Sequence, residues 1–228
     1  MPGNTVLGKR AGPLPIAVLV SGEGTTLDAL AELAANGSLP ARIVLVLANR
    51  SGIGALEKAA RRGLPSVVAV SREVPADAWC ERVTAELESR GAELVVLAGF
   101  LKILPPSWIE RWKGRVINIH PALLPRYGGP GMYGAHVHEA VLAAGDPETG
   151  ATVHLVTEAV DGGPILAQQR IPVLPGDTPE SLRARIHPVE VALLADTIRR
   201  FADGSLPLPY PERDALGSRR RDARGTAG

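Results

Sequence analysis

The sequence predicts an α/β fold: a mostly parallel, Rossmann-like sheet with helices on both faces, a C-terminal antiparallel hairpin and a long final helix. Three observations carry that reading. Continuous apolar runs of buried-strand length, at 16–20, 43–48 and 94–97, alternate with segments whose apolar residues recur at helical spacing. Strands alternating with helices imply a parallel sheet covered on both faces. A glycine turn, Ser21-Gly22-Glu23-Gly24-Thr25-Thr26, joins the first strand to the first helix, and a second Gly-rich loop, Asp161-Gly162-Gly163, separates two late strands that can pair as a hairpin.

The chain has 228 residues and a formal charge of +1. That length suits one domain or two small lobes, and the charge balance asks for neither nucleic acid nor a membrane surface. No apolar run approaches the ~20 residues of a membrane span, and the N-terminus lacks the apolar segment of a signal peptide. A single cysteine excludes an intrachain disulfide and a cysteine metal cluster, so a reducing cytoplasm is expected. Cys80 falls on the stripe Ala76, Trp79, Cys80, Val83, Leu87, which has helical spacing and reads as core.

In chain order, residues 1–14 lack periodicity and are expected to be a mobile tail. Ile16 to Val20 is the first strand. After the glycine turn, Leu27, Leu30, Ala31 and Ala34 mark a helix stopped by Asn36-Gly37. Such a turn offers free backbone N–H groups at a helix N-terminus, which favours a phosphate; the competing reading is an ordinary turn with a threonine N-cap. No Lys-Ser/Thr follows, so it is not a Walker loop, and the full three-glycine dinucleotide fingerprint is absent. Residues 43–48, 67–70 and 94–97 are further strands, separated by helices through Ala55, Leu56, Ala59, Ala60 and from Pro75 to Gly91. In such sheets ligands sit outside the carboxyl ends of the strands.

Gly99-Phe100-Leu101-Lys102-Ile103-Leu104 is unusually apolar for a loop. It either packs or lines a slot for a flat ligand. Pro105-Pro106 then leads to a short helix holding Trp108, Ile109 and Trp112.

The stretch with the most chemistry is Asn118-Ile119-His120-Pro121-Ala122-Leu123-Leu124-Pro125. Val116-Ile117 leads in as a buried strand, and the prolines end it because proline cannot donate to a sheet ladder. Asn118 and His120 are two apart, so they point the same way on an extended backbone. An imidazole that moves a proton beside an amide that donates to an oxyanion suits acyl transfer. Beyond a glycine-rich loop at 127–134, His136 and His138 open a helix. Two apart, they do not share a helix face, so capping or substrate contact is expected rather than metal ligation. Residues 150–156 are rich in β-branched residues and form a strand, and 165–173 is its returning partner. Thr178 is the expected N-cap of the last helix, whose stripe is Leu182, Ile186, Val189, Leu193 and Leu194; Pro188 is expected to interrupt and kink it. Residues 211–228 are expected to be a second mobile tail.

In order and spacing, Ser21 to Leu27, Ala98-Gly99-Phe100 to Leu104, Asn118-Ile119-His120-Pro121 to Pro125, 150–156 and Asp161-Gly162-Gly163-Pro164 resemble the phosphoribosylglycinamide formyltransferase family, folate-dependent enzymes of purine biosynthesis. The resemblance spans about residues 15–210. The Asn-x-His-Pro block and the Asp-Gly-Gly mark the wider formyltransferase superfamily, and the Ser-Gly-x-Gly-Thr turn is the more specific feature. The resemblance implies direct transfer of a formyl group from 10-formyltetrahydrofolate, as co-substrate, to the amine of glycinamide ribonucleotide through a tetrahedral intermediate, without a metal. It implies a catalytic trio of Asn118, His120 and Asp161. It places Gly24, Thr25 and Thr26 at the phosphate, with His187 as another phosphate contact and Glu190 at the ribose. It places Phe100, Leu101, Lys102, Ile103, Leu104, Val156, Thr157, Glu158 and Val160 at the folate. It divides the domain into a phosphate-binding half, 15–112, and a folate-binding and catalytic half, 113–210. The expected partners are small molecules, with the protein a monomer or homodimer.

Two departures stand out. The family often carries asparagine where Glu23 and Thr26 stand, and Glu23 would repel a phosphate unless its side chain turned to solvent. The 127–134 loop is longer and more glycine-rich, which leaves the contacts of His136 and His138 open. Competing readings are formyltetrahydrofolate hydrolase, a formyltransferase for another amine, and a non-catalytic binding module. About 14 residues before the first strand are expected to leave no room for the hydrolase's extra domain.

Overall fold

The computed structural model describes residues 12–70 and 74–211. The expected tails at 1–14 and 211–228 lie almost wholly outside them. The described elements run β1 (Leu14–Val20), α1 (Thr25–Ala35), β2 (Ala41–Ala48), α2 (Gly54–Arg61), β3 (Ser66–Val68), α3 (Ala76–Ser89), β4 (Leu94–Leu97), α4 (Pro106–Arg111), β5 (Val116–His120), α5 (Ala135–Ala143), β6 (Glu148–Leu155), β7 (Ile165–Pro172) and α6 (Pro179–Ala202). The first strand begins at Leu14, two residues before the expected start, because Leu14 is itself fully buried. β3 is short, since only Ser66 to Val68 pair with β2.

The seven strands lie in one sheet in the order β3-β2-β1-β4-β5-β6-β7. β3 through β5 are parallel, whereas β6 runs antiparallel to β5 and to β7. The strand order reverses between β1 and β4, and such a switch point opens a crevice at the carboxyl ends of the strands. Leu14, Ile16, Val18 and Val20 face a cluster built with α1, α2 and α6, while Ala17 and Leu19 face α3 and α4. The same alternation carries through β4, with Leu94 and Val96 on one face and Val95 and Leu97 on the other, as a period of two requires. Both faces being dry explains why these strands read as unbroken apolar runs; each fully buried leucine or valine contributes roughly 1.5–3 kcal/mol of transfer free energy.

On β5 the alternation gives Ile117 and Ile119 to the α1/α6 cluster and Val116 to the other face, so Asn118 and His120 share the face of Val116. Cys80 is half-buried and packs on the α3/α4 cluster. α6 opens on the expected cap: the Thr178 hydroxyl accepts from Ser181 N–H, and Ser181 answers the Thr178 N–H. Such caps contribute about 1 kcal/mol. The expected interruption at Pro188 does not occur, for α6 runs unbroken to Ala202. Proline frees the carbonyl four residues back, here that of exposed Ala184, where water serves it at little cost. Among the described residues no helix is long and apolar enough to cross a membrane.

Candidate active site

One cleft of about 730 Å³ runs along the carboxyl ends of β1, β4 and β5. At one end is the 21–26 turn. Gly24 is the residue before α1, at φ 70, and no side chain caps the helix. The threonine N-cap is therefore not formed: Thr25 is already the first helical residue. The N–H groups of the first turn are those a helix cannot satisfy internally, and they open into the cleft with Gly24, Thr25 and Thr26. Only glycine fits at position 24. The left-handed φ disfavours a side chain, and an added Cβ would lie 2.6 Å from the Ala55 Cβ. Glu23 turns its carboxylate onto the start of α2, so close that a Cβ on Gly54 would lie 2.6 Å from its Oε2. An acid is favoured at a helix N-terminus, and this placement draws its charge toward α2 and away from the start of α1.

The Ser21 hydroxyl accepts a hydrogen bond from Leu101 N–H at 2.9 Å, and Arg50 Nε donates to the Ser21 carbonyl at 2.8 Å. This ties the glycine turn to the 99–104 loop, which then splits by parity. Leu104 is buried and Phe100 half-buried in the α3/α4 cluster, while the Lys102 ammonium lies 4.1 Å over the Trp79 ring. Leu101 and Ile103 face outward, 53% and 70% exposed. Burial pushes the Lys102 amine below its ordinary value. All five residues line the cleft, as do Val156, Thr157, Glu158 and Val160 on the opposite wall.

The polar centre sits between β5 and β6. The antiparallel register sets Asn118 opposite His154 and His120 opposite Thr152. Asp161, at φ 53 in the loop between β6 and β7, closes the group. Its Oδ1 receives Asn118 Nδ2 at 3.5 Å and lies 3.5 Å from His154 Nε2. Its Oδ2 accepts the Gly129 N–H at 3.0 Å and lies 3.6 Å from His120 Nδ1. Asn118 Nδ2 is 3.0 Å from His154 Nε2. His154 Nδ1 meets the Leu155 carbonyl at 2.8 Å, so Nδ1 carries the hydrogen and Nε2 accepts from the amide. The second amide hydrogen of Asn118 has only the long contact to Asp161 and is the one available to a bound oxygen.

His120 and His154 are 3% and 2% exposed. Burial pushes the His120 imidazole below its ordinary value, and Asp161 only partly restores it. Burial likewise raises the Asp161 carboxyl, but the Gly129 N–H and the positive charge that His154 and His120 carry when protonated outweigh that and leave it lowered. The site thus holds a carboxylate beside a neutral imidazole. On α6, Glu190 and His187 stand 3.7 Å apart and line the same cleft. His138 is buried, lowered by burial, and its Nδ1 has no partner; His136 instead sits near Glu139 on the surface. Neither caps α5, whose N-terminus carries no side-chain cap.

Every residue expected at the site lines this one cleft. Sequence reasoning missed His154, the Ser21 strap and the Gly129 N–H. A signal for His154 was present: a histidine in a strand of otherwise apolar and hydroxyl residues, two residues past Thr152.

The formyl transferase family matches residues 14–198. This chain belongs to that family. A phosphoribosylglycinamide formyltransferase of Haemophilus influenzae is 36% identical over 194 residues, 85% of this chain and 89% of that protein. The trifunctional purine biosynthetic protein adenosine-3 of Drosophila pseudoobscura is 39% identical over 88% of this chain, which spans only 15% of that much longer protein. Among solved structures, glycinamide ribonucleotide transformylase 1 of Symbiobacterium toebii superposes with a TM-score of 0.81 at 34% identity, covering 87% of this chain and 92% of that one. The fold is that of the family: one mostly parallel sheet with an antiparallel end and a long final helix.

Proposed function

We propose that this formyl transferase family member moves the formyl group of 10-formyltetrahydrofolate to the amine of glycinamide ribonucleotide, in purine biosynthesis. The observation that carries this reading is the convergence of Asn118, His120 and Asp161 in one cleft with an uncapped helix N-terminus. The two ends of that cleft ask for different ligands. The start of α1, with Gly24, Thr25 and Thr26, offers N–H groups and a positive helix end to a phosphate; His187 and Glu190 face it from α6 as phosphate and ribose partners. The other end offers the exposed apolar faces of Leu101, Ile103 and Val160 between Phe100, Lys102 and Leu104 on one side and Val156, Thr157 and Glu158 on the other. Three exposed apolar side chains flanking a cleft fit a flat heteroaromatic ring, so the residues present suit the folate, which supplies the formyl carbon.

The chain's own groups then have separate tasks. Asn118 donates to the oxygen on which negative charge develops, using the amide hydrogen that otherwise makes only the long contact to Asp161. His120, neutral by burial, takes a proton from the attacking amine. Asp161 stabilises the charged imidazole that results. Burial of His120 between β5 and β6 limits the access of bulk water to the proton-transferring ring. The 15–112 half supplies the phosphate-binding turn and the 113–210 half the folate-binding and catalytic groups, with His187 and Glu190 of the second half reaching the ribonucleotide across the cleft. A single cysteine and a nearly neutral charge fit a cytoplasmic enzyme of small molecules, monomeric or homodimeric.

The test is direct. Purified protein is mixed with 10-formyltetrahydrofolate, with and without glycinamide ribonucleotide, and tetrahydrofolate and the formylated ribonucleotide are both measured. Formation of the two products in equal amounts, and only with the ribonucleotide, is expected. Tetrahydrofolate released without the ribonucleotide identifies a hydrolase, and neither product sinks the reading.

A further inference from the structure

We propose that Tyr127 is a positioning residue for His120: anchored by Asp146, it holds a strained turn whose carbonyl keeps His120 protonated on Nε2, leaving Nδ1 as the nitrogen that exchanges protons. The kinetic part of this proposal rests on the formyl-transfer reading; the tautomer part does not.

His120 Nε2 lies 2.7 Å from the Tyr127 carbonyl oxygen. A carbonyl only accepts, so in neutral His120 the hydrogen must be on Nε2. Nδ1 is then bare and faces Asp161 Oδ2 at 3.6 Å. A bare nitrogen beside a carboxylate repels it, whereas an Nδ1–H donates to it. The geometry therefore favours the proton arriving at Nδ1, and the other nitrogen is already committed. In one turnover Nδ1 receives the proton shed by the attacking amine and passes it to the leaving nitrogen, and His120 ends as it began. The charged and titratable groups that interact with His120 include Asp161, His154, Glu190 and His138.

The carbonyl is aimed by an unusual backbone. Tyr127 has φ 58, a left-handed conformation that L residues with bulky side chains adopt only when the surroundings enforce it. The enforcing contacts are visible. The Tyr127 hydroxyl donates to Asp146 Oδ2 at 2.6 Å, and that oxygen also takes Arg126 Nη1 at 2.9 Å. The Arg126 guanidinium lies 5.1 Å from the Tyr127 ring centre, and the ring packs on Val141, Leu182 and Ile186. The next residues continue the same function. A Cβ on Gly128 would lie 2.5 Å from Leu124 Cδ2 and 3.2 Å from Asp161 Cβ, so the turn is pressed against the acid. Gly129 N–H then donates to Asp161 Oδ2. One turn thus sets both partners, His120 through a carbonyl and Asp161 through an N–H. Asp146 lies between α5 and β6, outside the cleft lining, so the Tyr127 hydroxyl reaches the chemistry only through this backbone.

Tyr127→Phe removes the hydroxyl and keeps the ring. In free, 15N-labelled protein, His120 is expected to be the Nε2–H tautomer in the parent and a mixture in Tyr127→Phe. Turnover should fall about 10- to 100-fold, the scale of a lost positioning contact, with KM for both substrates unchanged. Asp146→Ala should give the same loss, the double variant no further loss, and Asp146→Asn, which still offers an oxygen to the hydroxyl, should retain most activity. An Nδ1–H tautomer in the parent, an unchanged tautomer in both Tyr127→Phe and Asp146→Ala, or additive losses would overturn the proposal. The tautomer is read without substrate, so a protein that shows the tautomer switch but transfers no formyl group refutes the proposed activity and not this anchoring.

Discussion

Beside β1 the cleft is bounded by backbone, and between β5 and β6 it is bounded by side chains. The glycine turn presents N–H groups of α1 with no capping side chain, and the acid nearest it, Glu23, is turned onto α2. The β5/β6 end presents Asn118, His120, His154 and Asp161, three of them on paired strands and the two histidines nearly excluded from water. Fixed dipoles suit the first end, because a phosphate carries its charge into the site and needs only to be received. A reacting amine and carbonyl change charge during the reaction, so the second end needs groups that can exchange a proton and donors already in place. On the proposed function, phosphate binding and chemistry would fall to different ends of one cleft.

The largest expected effect breaks the chemical half alone. His120→Ala and Asn118→Ala should each lower turnover by about 10²-fold or more, the scale of a lost acid–base or oxyanion group, with KM for the ribonucleotide little changed; near-normal steady-state rates in either folded variant would remove that residue from the mechanism. Gly24→Val breaks the binding half. A side chain at φ 70 against Ala55 should cost about 1–2 kcal/mol in backbone strain alone, lowering the melting temperature. It should also raise KM for the ribonucleotide far more than for the folate, and equal weakening of both would count against a phosphate site there.

Asp161→Asn sharpens the comparison by removing charge without changing shape. Because Asp161 raises the His120 pKa against burial, the ring titration followed by NMR should move lower still in the variant. No movement would mean that the carboxylate acts through geometry only. pH separates the halves in the same way. His120 and His138 are both depressed by burial, so the unfolded chain binds more protons below the ordinary histidine value of 6.5. Folded stability should therefore fall as pH drops below 6.5 and level off once the folded histidines titrate. Asp28 and Asp161, whose carboxyls are lowered, should add a second loss only below the ordinary carboxyl value of 3.8. Chemical denaturation across that range reads both windows, and flat stability between pH 7 and 5 would contradict the first. Smallest of all, Ile103→Ser should raise KM for the folate a few-fold, as loss of uniform apolar contact does, with kcat and melting temperature unchanged because the side chain is 70% exposed.

Much of this was legible in the amino acids. Local signals end and start elements where covalent geometry leaves little choice: Asn36-Gly37 after α1, Pro121 after β5, Thr178 before α6. Apolar runs such as 16–20 and 94–97 could only be strands covered on both faces, and Asn118-x-His120 had to share a side of its strand. Less legible were features that depend on what a residue meets rather than on its neighbours in sequence. The 21–26 turn was open to a threonine cap, and the approach of Ala55 decided for Gly24. Pro188 looked like a break, but its freed carbonyl belongs to exposed Ala184 and the helix continues.

By itself the sequence determined the α/β class, the order of elements and the side of each strand on which the polar groups lie, because dihedral limits and hydrophobic period act over a few residues. The tertiary structure alone decided that β6 runs antiparallel beside β5 with His154 opposite Asn118, that Asp161 lies within 4 Å of His120 and His154, and that Glu23 faces α2. Apart from His154 with Asp161, which are near in sequence, those are contacts between residues about 30 to 40 positions apart. Register and loop closure set them, and these depend on packing energies summed over the whole sheet rather than on any local signal.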